Sequence, residues 1–180
     1  MKNIKKSQMK VVNFMNNNDR LIRLRYALDI KDQDMVEIFK LGDMDVTVEE
    51  VREMLIKTRD EGDDSRNDEE DSTVDNVTIE SFLNGLIISK RGKQEPKPGQ
   101  PERPALSGDE HINNVLLKKL KIALTLTSED MLDVFDRSGV SVTKGELSAL
   151  LRKQGHKNYK ECGDKYARSF LKGLTNKYRG

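Results

Sequence analysis

The sequence predicts an all-α chain made of two tandem pseudo-repeats of about four helices each, packed together. Three observations carry this prediction. The chain aligns with itself at a shift of 96 positions, its apolar residues recur at three- and four-residue spacing, and all 4 prolines fall in one stretch between the copies. Residues 17–55 fall on residues 113–151 without a gap, with 13 identities over 39 positions. The match resumes at a shift of 88, where Ser81, Phe82, Leu83, Gly85 and Leu86 fall on Ser169, Phe170, Leu171, Gly173 and Leu174. The change of shift from 96 to 88 is an insertion of 8 residues in the first copy, between Leu55 and Ser81.

The first helix of each copy follows from Leu21, Leu24 and Leu28, and from Leu117, Leu120 and Leu124, which this spacing places on one face. The second is expected to start after Asp32 or Ser128, both good N-cap residues, and to present Met35, Ile38 and Phe39, or Met131, Val134 and Phe135. The third follows Thr47 or Thr143. Each has a Glu three residues later, the signature of a capping box. The fourth carries Phe82, Leu83 and Leu86, or Phe170, Leu171 and Leu174. Gly85 and Gly173 inside these helices are expected to permit a close crossing. The paired Asn17-Asn18 and Asn113-Asn114 are expected to turn the chain and cap the first helices. Valine-rich stretches at 46–48 and 140–142 are too short to predict a sheet.

Proline removes a backbone donor and clashes with the preceding turn, so residues 93–110 read as a semi-extended linker. The chain then divides into an N-terminal arm (1–15), a first repeat (16–92) with an acidic loop at 60–75, the linker (93–110) and a second repeat (111–180). The acidic loop reads as a self-repelling, solubilising segment, with a cation or a basic partner as the competing reading.

Composition narrows the function classes. Apolar and charged residues each make up 35% of the chain, so a core forms only if the apolar residues are concentrated on a few faces. The net charge of +1 provides no global field for nucleic acid or an anionic membrane. The single cysteine, Cys162, allows no internal disulfide and fits a reducing compartment. No apolar run approaches the ~18 residues of a spanning helix. The basic N-terminus is followed by no apolar h-region, so a secretory signal is not expected and the cytoplasm is. No cofactor and no membrane association are expected.

Several strings resemble a known family. They are Ser-Phe-Leu-Asn-Gly-Leu-Ile at 81–87, Lys-Arg-Gly-Lys at 90–93, Asn-Asn-Val-Leu-Leu-Lys-Lys-Leu-Lys-Ile-Ala at 113–123, and His-Lys-Asn-Tyr-Lys-Glu-Cys-Gly-Asp at 156–164. Together these resemble the YehS-like uncharacterised bacterial proteins, a duplicated domain of unknown function. The resemblance covers residues 16–177. It implies a helical, cytoplasmic bacterial protein and brings no catalytic residue with it. The arm at 1–14 and the acidic insertion depart from the pattern, and Met15 offers an alternative start directly before the Asn-rich opening.

His156, Cys162 and Asp164 form the candidate reactive or ligand loop. A helix N-terminus stabilises a thiolate, so Cys162 ahead of a helix starting near Asp164 suggests an activated thiol. The spacing His-x5-Cys-x-Asp matches no standard zinc site, so no metal is expected. The competing reading is a connecting loop in which Asp164 caps the last helix and Cys162 packs as a small hydrophobe. An EF-hand at Asp136 fails, because Ser141 stands where the loop needs Gly and Leu147 where it needs Glu.

Basic residues suggest a second site. Arg20, Arg23 and Arg25 on the first helix, Lys118, Lys119 and Lys121 on its counterpart, and Lys90, Arg91 and Lys93 at the end of the fourth helix are candidate nucleic-acid contacts. Cations are also ordinary on solvated faces and at helix C-termini. The expected function is a non-enzymatic interaction or regulatory module with a protein partner. Nucleic-acid binding through the basic helix faces is the alternative, and a thiol- or metal-dependent activity at His156, Cys162 and Asp164 is the second alternative.

Overall fold

The structure, a computed structural model, describes residues 15–56, 74–92 and 110–179. The arm at 1–14, most of the acidic loop and the linker up to residue 109, Lys93 included, lie outside the described residues. The described residues form eight helices and no strand, four helices in each copy. They are α1 (Asn17–Leu28), α2 (Asp32–Leu41), α3 (Val48–Met54), α4 (Asn76–Arg91), α5 (Ile112–Ala123), α6 (Ser128–Arg137), α7 (Lys144–Leu151) and α8 (Asp164–Arg179). No helix among the described residues is long and apolar enough to cross a membrane.

Local chemistry sets the helix starts. Thr47 and Glu50 form a full capping box on α3, as expected. On α7 the box is half formed, with the Thr143 hydroxyl accepting from the Glu146 amide while the Glu146 carboxylate turns to that hydroxyl. The second helices start one residue earlier than the sequence suggested. Asp32 is the first helical residue, behind Lys31, which makes no side-chain cap, and Thr127 rather than Ser128 caps α6 in a box with Asp130. The acids stay in the first turn, where the helix dipole favours them. Helix α1 is capped by Asn16, whose Oδ1 accepts from the Asp19 amide at 2.9 Å, and not by Asn17-Asn18. Helix α5 is capped by His111.

The copies repeat each other in detail. Phe39 and Phe82 pack with ring centroids 5.2 Å apart at 54°, and Phe135 and Phe170 do the same at 5.2 Å and 54°. A Cβ added to Gly85 would lie 1.8 Å from the Ile38 carbonyl oxygen, and one added to Gly173 would lie 1.8 Å from that of Val134. These glycines let α2 meet α4 and α6 meet α8 at backbone distance.

Packing between the copies is crossed. Helix α1 packs chiefly on α8 of the second copy, and α5 packs chiefly on α4 of the first. Within a copy, α2 rests on α4 and α6 on α8, while the first and last helices barely meet. The apolar stripe of α1 (Leu21, Leu24, Ala27) and that of α5 (Leu117, Leu120, Ala123) therefore join one continuous core spanning both copies. Each copy has about 75 residues, little material for a core of its own, and the crossed packing pools the apolar surface of both.

Candidate functional site

The polar residues of the sequence converge where the two copies meet. Asn17 and Asn18 begin α1, Asn113 and Asn114 begin α5, and all four side chains are buried. Asn18 donates to the Met54 carbonyl at 3.0 Å, and Asn114 donates to the Leu150 carbonyl at 3.0 Å. Asn17 donates to the Val74 carbonyl at 3.1 Å and to Asn76 Oδ1 at 2.9 Å. Asn113 donates to the Cys162 carbonyl at 3.0 Å and to Asp164 Oδ1 at 2.9 Å. The asparagine pairs thus clamp the end of the third helix and the entry to the fourth. Their repetition inside the apolar period of the first helices was the available signal, since a capping residue stands outside that period.

Arg20 breaks the symmetry. Its Nη1 donates to Asn17 Oδ1 at 2.9 Å, its Nε to Asn113 Oδ1 at 2.9 Å and its Nη2 to Asp164 Oδ1 at 3.2 Å. Asp164 Oδ2 also accepts from the Met15 amide at 3.2 Å. Burial pulls the Arg20 guanidinium below its usual pKa, and Asp164 opposes that shift. Asp164 is the first residue of α8, and its carboxylate serves this network instead of capping the helix.

Cys162 is fully buried beside this network, and its amide donates to Asn114 Oδ1 at 2.9 Å. Burial, reinforced by Asp164, pushes its thiol up to about 12. The activated-thiol reading therefore gives way to the competing one, in which Cys162 packs as a small hydrophobe, because desolvation outweighs the helix dipole and the Arg20 charge. His156 does not join Cys162 and Asp164. It is exposed, its Nδ1 accepts the Asn158 amide at 3.0 Å, and its Nε2 stands 3.5 Å from Arg152 Nη1. Among the described residues, no group of three or more His, Cys, Asp or Glu side chains is placed to hold a metal ion.

The basic residues do not form one exposed face. Arg20 and Lys119 are buried. Lys119 Nζ lies 2.6 Å from Asn84 Oδ1 and 3.4 Å from Glu80 Oε1, and burial lowers its pKa against the pull of Glu80. Arg25 is bound to Asp32 at 2.6 Å and to the Ile30 carbonyl, and Lys118 is paired with Glu110. Arg23, Lys90 and Arg91 are exposed and Lys121 is half-buried, on different helices. The partners Glu80 and Asn84 escaped the sequence reading, though their place on the core face of α4 marks them.

Among the described residues, an open groove lies beside the end of α1. It has a volume of about 680 Å³ and is lined by Ile22, Tyr26, Ile30, Leu55, Arg25 and Arg179, among others. Arg179 lies over the Tyr26 ring at 4.2 Å and bonds Asp29 at 3.2 Å, which ties the end of α8 to the end of α1.

The family model described as "Protein of unknown function (DUF1456)" matches residues 17–92 and 113–180, one segment in each copy. A relative from Escherichia coli (strain K12), the "Uncharacterized protein YehS", is 38% identical over 162 residues, covering 89% of this chain and 95% of the relative. No solved structure matches the chain significantly. The two matched segments coincide with the two halves of the crossed helical core, and the chain belongs to the DUF1456 family, whose YehS-like members it resembles along nearly its whole length.

Proposed function

We propose that the chain is a non-enzymatic interaction module, with a regulatory role carried out by binding a macromolecular partner. The observation that carries this reading is the burial of its polar chemistry. Cys162 is inaccessible with a thiol raised to about 12, and Arg20, Asp164, Asn17 and Asn113 satisfy one another at the junction. These groups hold the two copies together, and among the described residues none of them is turned toward a substrate. What remains available is surface, chiefly the α1–α8 side with its groove.

The test is affinity capture with the whole chain, comparing wild type with Cys162→Ala and with Tyr26→Glu. The same macromolecule retained by wild type and Cys162→Ala, and lost by a folded Tyr26→Glu, is the expected result. A cellular phenotype abolished by Cys162→Ala at unchanged melting temperature would overturn it. So would a wild type that retains nothing beyond what Tyr26→Glu retains.

A further inference from the structure

The two crossed helix pairs are equivalent under the duplication, yet their polar residues differ in sign. Where α5 meets α4, the cation Lys119 is answered by the acid Glu80 and the amide Asn84. The equivalent positions where α1 meets α8 are Arg23 for Lys119, Arg168 for Glu80 and Lys172 for Asn84. Three cations thus stand where the other pair has a cation, an acid and an amide. Arg23 and Lys172 are exposed and Arg168 is half-buried. Among the described residues, none of the three has an ion-pair or hydrogen-bond partner.

The cationic surface continues along α8. Lys165, Arg168 and Lys172 recur at three and four positions and share one face, over a rise of about 10 Å. The helix carries 5 cations against a single acid, Asp164, and that acid is already held by Arg20. On α1, Asp19 lies one turn before Arg23, and Asp29 is held by Arg179. Like charges this close repel one another in the free protein, and a bound polyanion relieves that repulsion.

An aromatic ring stands beside the strip. Tyr26 lies three residues after Arg23 on the same face of α1 and is 58% exposed, with Arg179 at its ring. Past Tyr26 opens the groove, with Ile22, Ile30 and Leu55 along it. Asp29 and Asp32 also line it, each held by an arginine. Cations for a backbone and an aromatic face for a base are the components of single-strand recognition. A duplex offers Tyr26 no unstacked base, and the charge of an acidic peptide is met by the cations without the ring. We propose that the seam between α1 and α8 binds single-stranded nucleic acid, with Arg23, Arg168 and Lys172 on the phosphates and Tyr26 as a stacking face for a base. This deepens the interaction-module reading and rests on it.

The test is fluorescence anisotropy of the whole chain with labelled oligouridylate and oligothymidylate. Binding is expected at low salt, with log affinity falling against log salt at a slope of about −2 for three phosphate contacts. The triple variant Arg23→Glu/Arg168→Glu/Lys172→Glu loses it, while Lys153→Glu/Lys157→Glu, on an exposed loop, retains it. Tyr26→Ala weakens single-strand binding about tenfold, within the usual worth of one stacked base, in a chain that still melts cooperatively. Absence of binding at low salt overturns the proposal. So does equal loss in the loop variant, and so does an unaffected Tyr26→Ala chain that is displaced by polyaspartate at matched charge, which would mark an acidic protein surface. Retention on phosphatidylserine vesicles in place of oligonucleotides overturns it as well. If oligonucleotides fail but a nuclease-treated lysate still yields a partner that Tyr26→Glu loses, the nucleic-acid proposal falls and the module reading stands.

Discussion

Arg20 Nε donates to Asn113 Oδ1 at 2.9 Å across the junction of the two copies, while the residue equivalent to Arg20 in the second copy is Leu116, fully buried. At this one position the pseudo-symmetric junction is thus ionic on one side and apolar on the other. Removing Arg20 alone takes the counter-charge from the half-buried Asp164 carboxylate, which keeps Asn113 and the Met15 amide as donors. It also leaves the Oδ1 atoms of Asn17 and Asn113 without the donor they accept from. Arg20→Ala is expected to cost about 3–5 kcal/mol, the usual penalty for breaking a buried pair. Asp164 is equivalent to Asn76, so Arg20→Leu/Asp164→Asn installs on one side what the other already has. Exchanging both partners of a buried pair is often close to neutral. Urea denaturation of the three variants should show the double change costing less than Arg20→Ala. A double variant as unstable as the single one would mean that the ionic side matters beyond charge compensation.

The glycines divide by what surrounds them. Gly85→Ala and Gly173→Ala each drive a Cβ to within 1.8 Å of a carbonyl oxygen on the crossing helix, so the helices must separate. Each is expected to cost at least about 2 kcal/mol, as overpacking does, despite the ~1 kcal/mol that Ala contributes to helix propensity. Gly145 in α7 has nothing closer than 4.0 Å to an added Cβ, so Gly145→Ala should stabilise by about 0.5–1 kcal/mol. Thermal melts of the three variants check the contrast in sign.

Asn114→Ala removes three bonds at once. It leaves the carbonyls of Leu150 and Lys160 and the amide of Cys162 without their partner in a buried place. Each stranded group costs about 1–3 kcal/mol, so the variant should lose at least about 2 kcal/mol. Hydrogen exchange should place that loss at the Cys162 amide, ahead of α8.

The sequence made the helices legible and the polar roles much less so. Leu21, Leu24 and Phe39 recur in register with Leu117, Leu120 and Phe135 because core faces tolerate little change of period, so fold class and repeat could be read directly. Self-alignment, however, pairs equivalent residues without showing whether they touch within a copy or between copies. The crossed packing of α1 on α8 was therefore invisible. Arg20 was read as a surface cation because of its type, although it stands four residues before Leu24 on the core face. Cys162 packs as the small hydrophobe of the connecting-loop reading, and the sequence left the activated-thiol reading beside it for a different reason. A helix N-terminus is visible in sequence, but the desolvation that outweighs it is set by tertiary packing.

The buried thiol makes a pH prediction with a definite sign. The unfolded chain releases the Cys162 proton near the ordinary value of 9.0, whereas the folded chain holds it to about 12. The unfolded state therefore binds fewer protons over that interval, and stability falls as pH rises through it. The contribution is fully present below pH 9 and is lost progressively toward 12. Comparing wild type with Cys162→Ala isolates this group, since Lys119 and Arg20 titrate in both. The stability difference between them should be flat from neutral pH to about 9 and shift against wild type above it. At pH 8 a thiol reagent should label Cys162 only after denaturation. Rapid labelling of the native protein would show the thiol to be accessible.

The crossed packing predicts the behaviour of separated halves. In a chain of residues 16–92 alone, the apolar stripe of α1 loses α8, and α4 loses α5. Residues 110–180 alone suffer the mirror-image loss. Neither half retains the continuous core, so each should unfold without a cooperative transition and bind a hydrophobic dye. Mixed together, the halves can rebuild both crossed pairs and the Arg20–Asp164–Asn113 network. Tethering supplies an effective concentration in the millimolar range that the separate pieces lack, so recovery of helicity on mixing should depend on concentration. Co-purification of the two halves, with a cooperative melt whose midpoint rises with concentration, is the expected outcome. A first half that melts cooperatively on its own would show that a copy needs no partner helix, and that α1 and α5 are exchanged without consequence for stability.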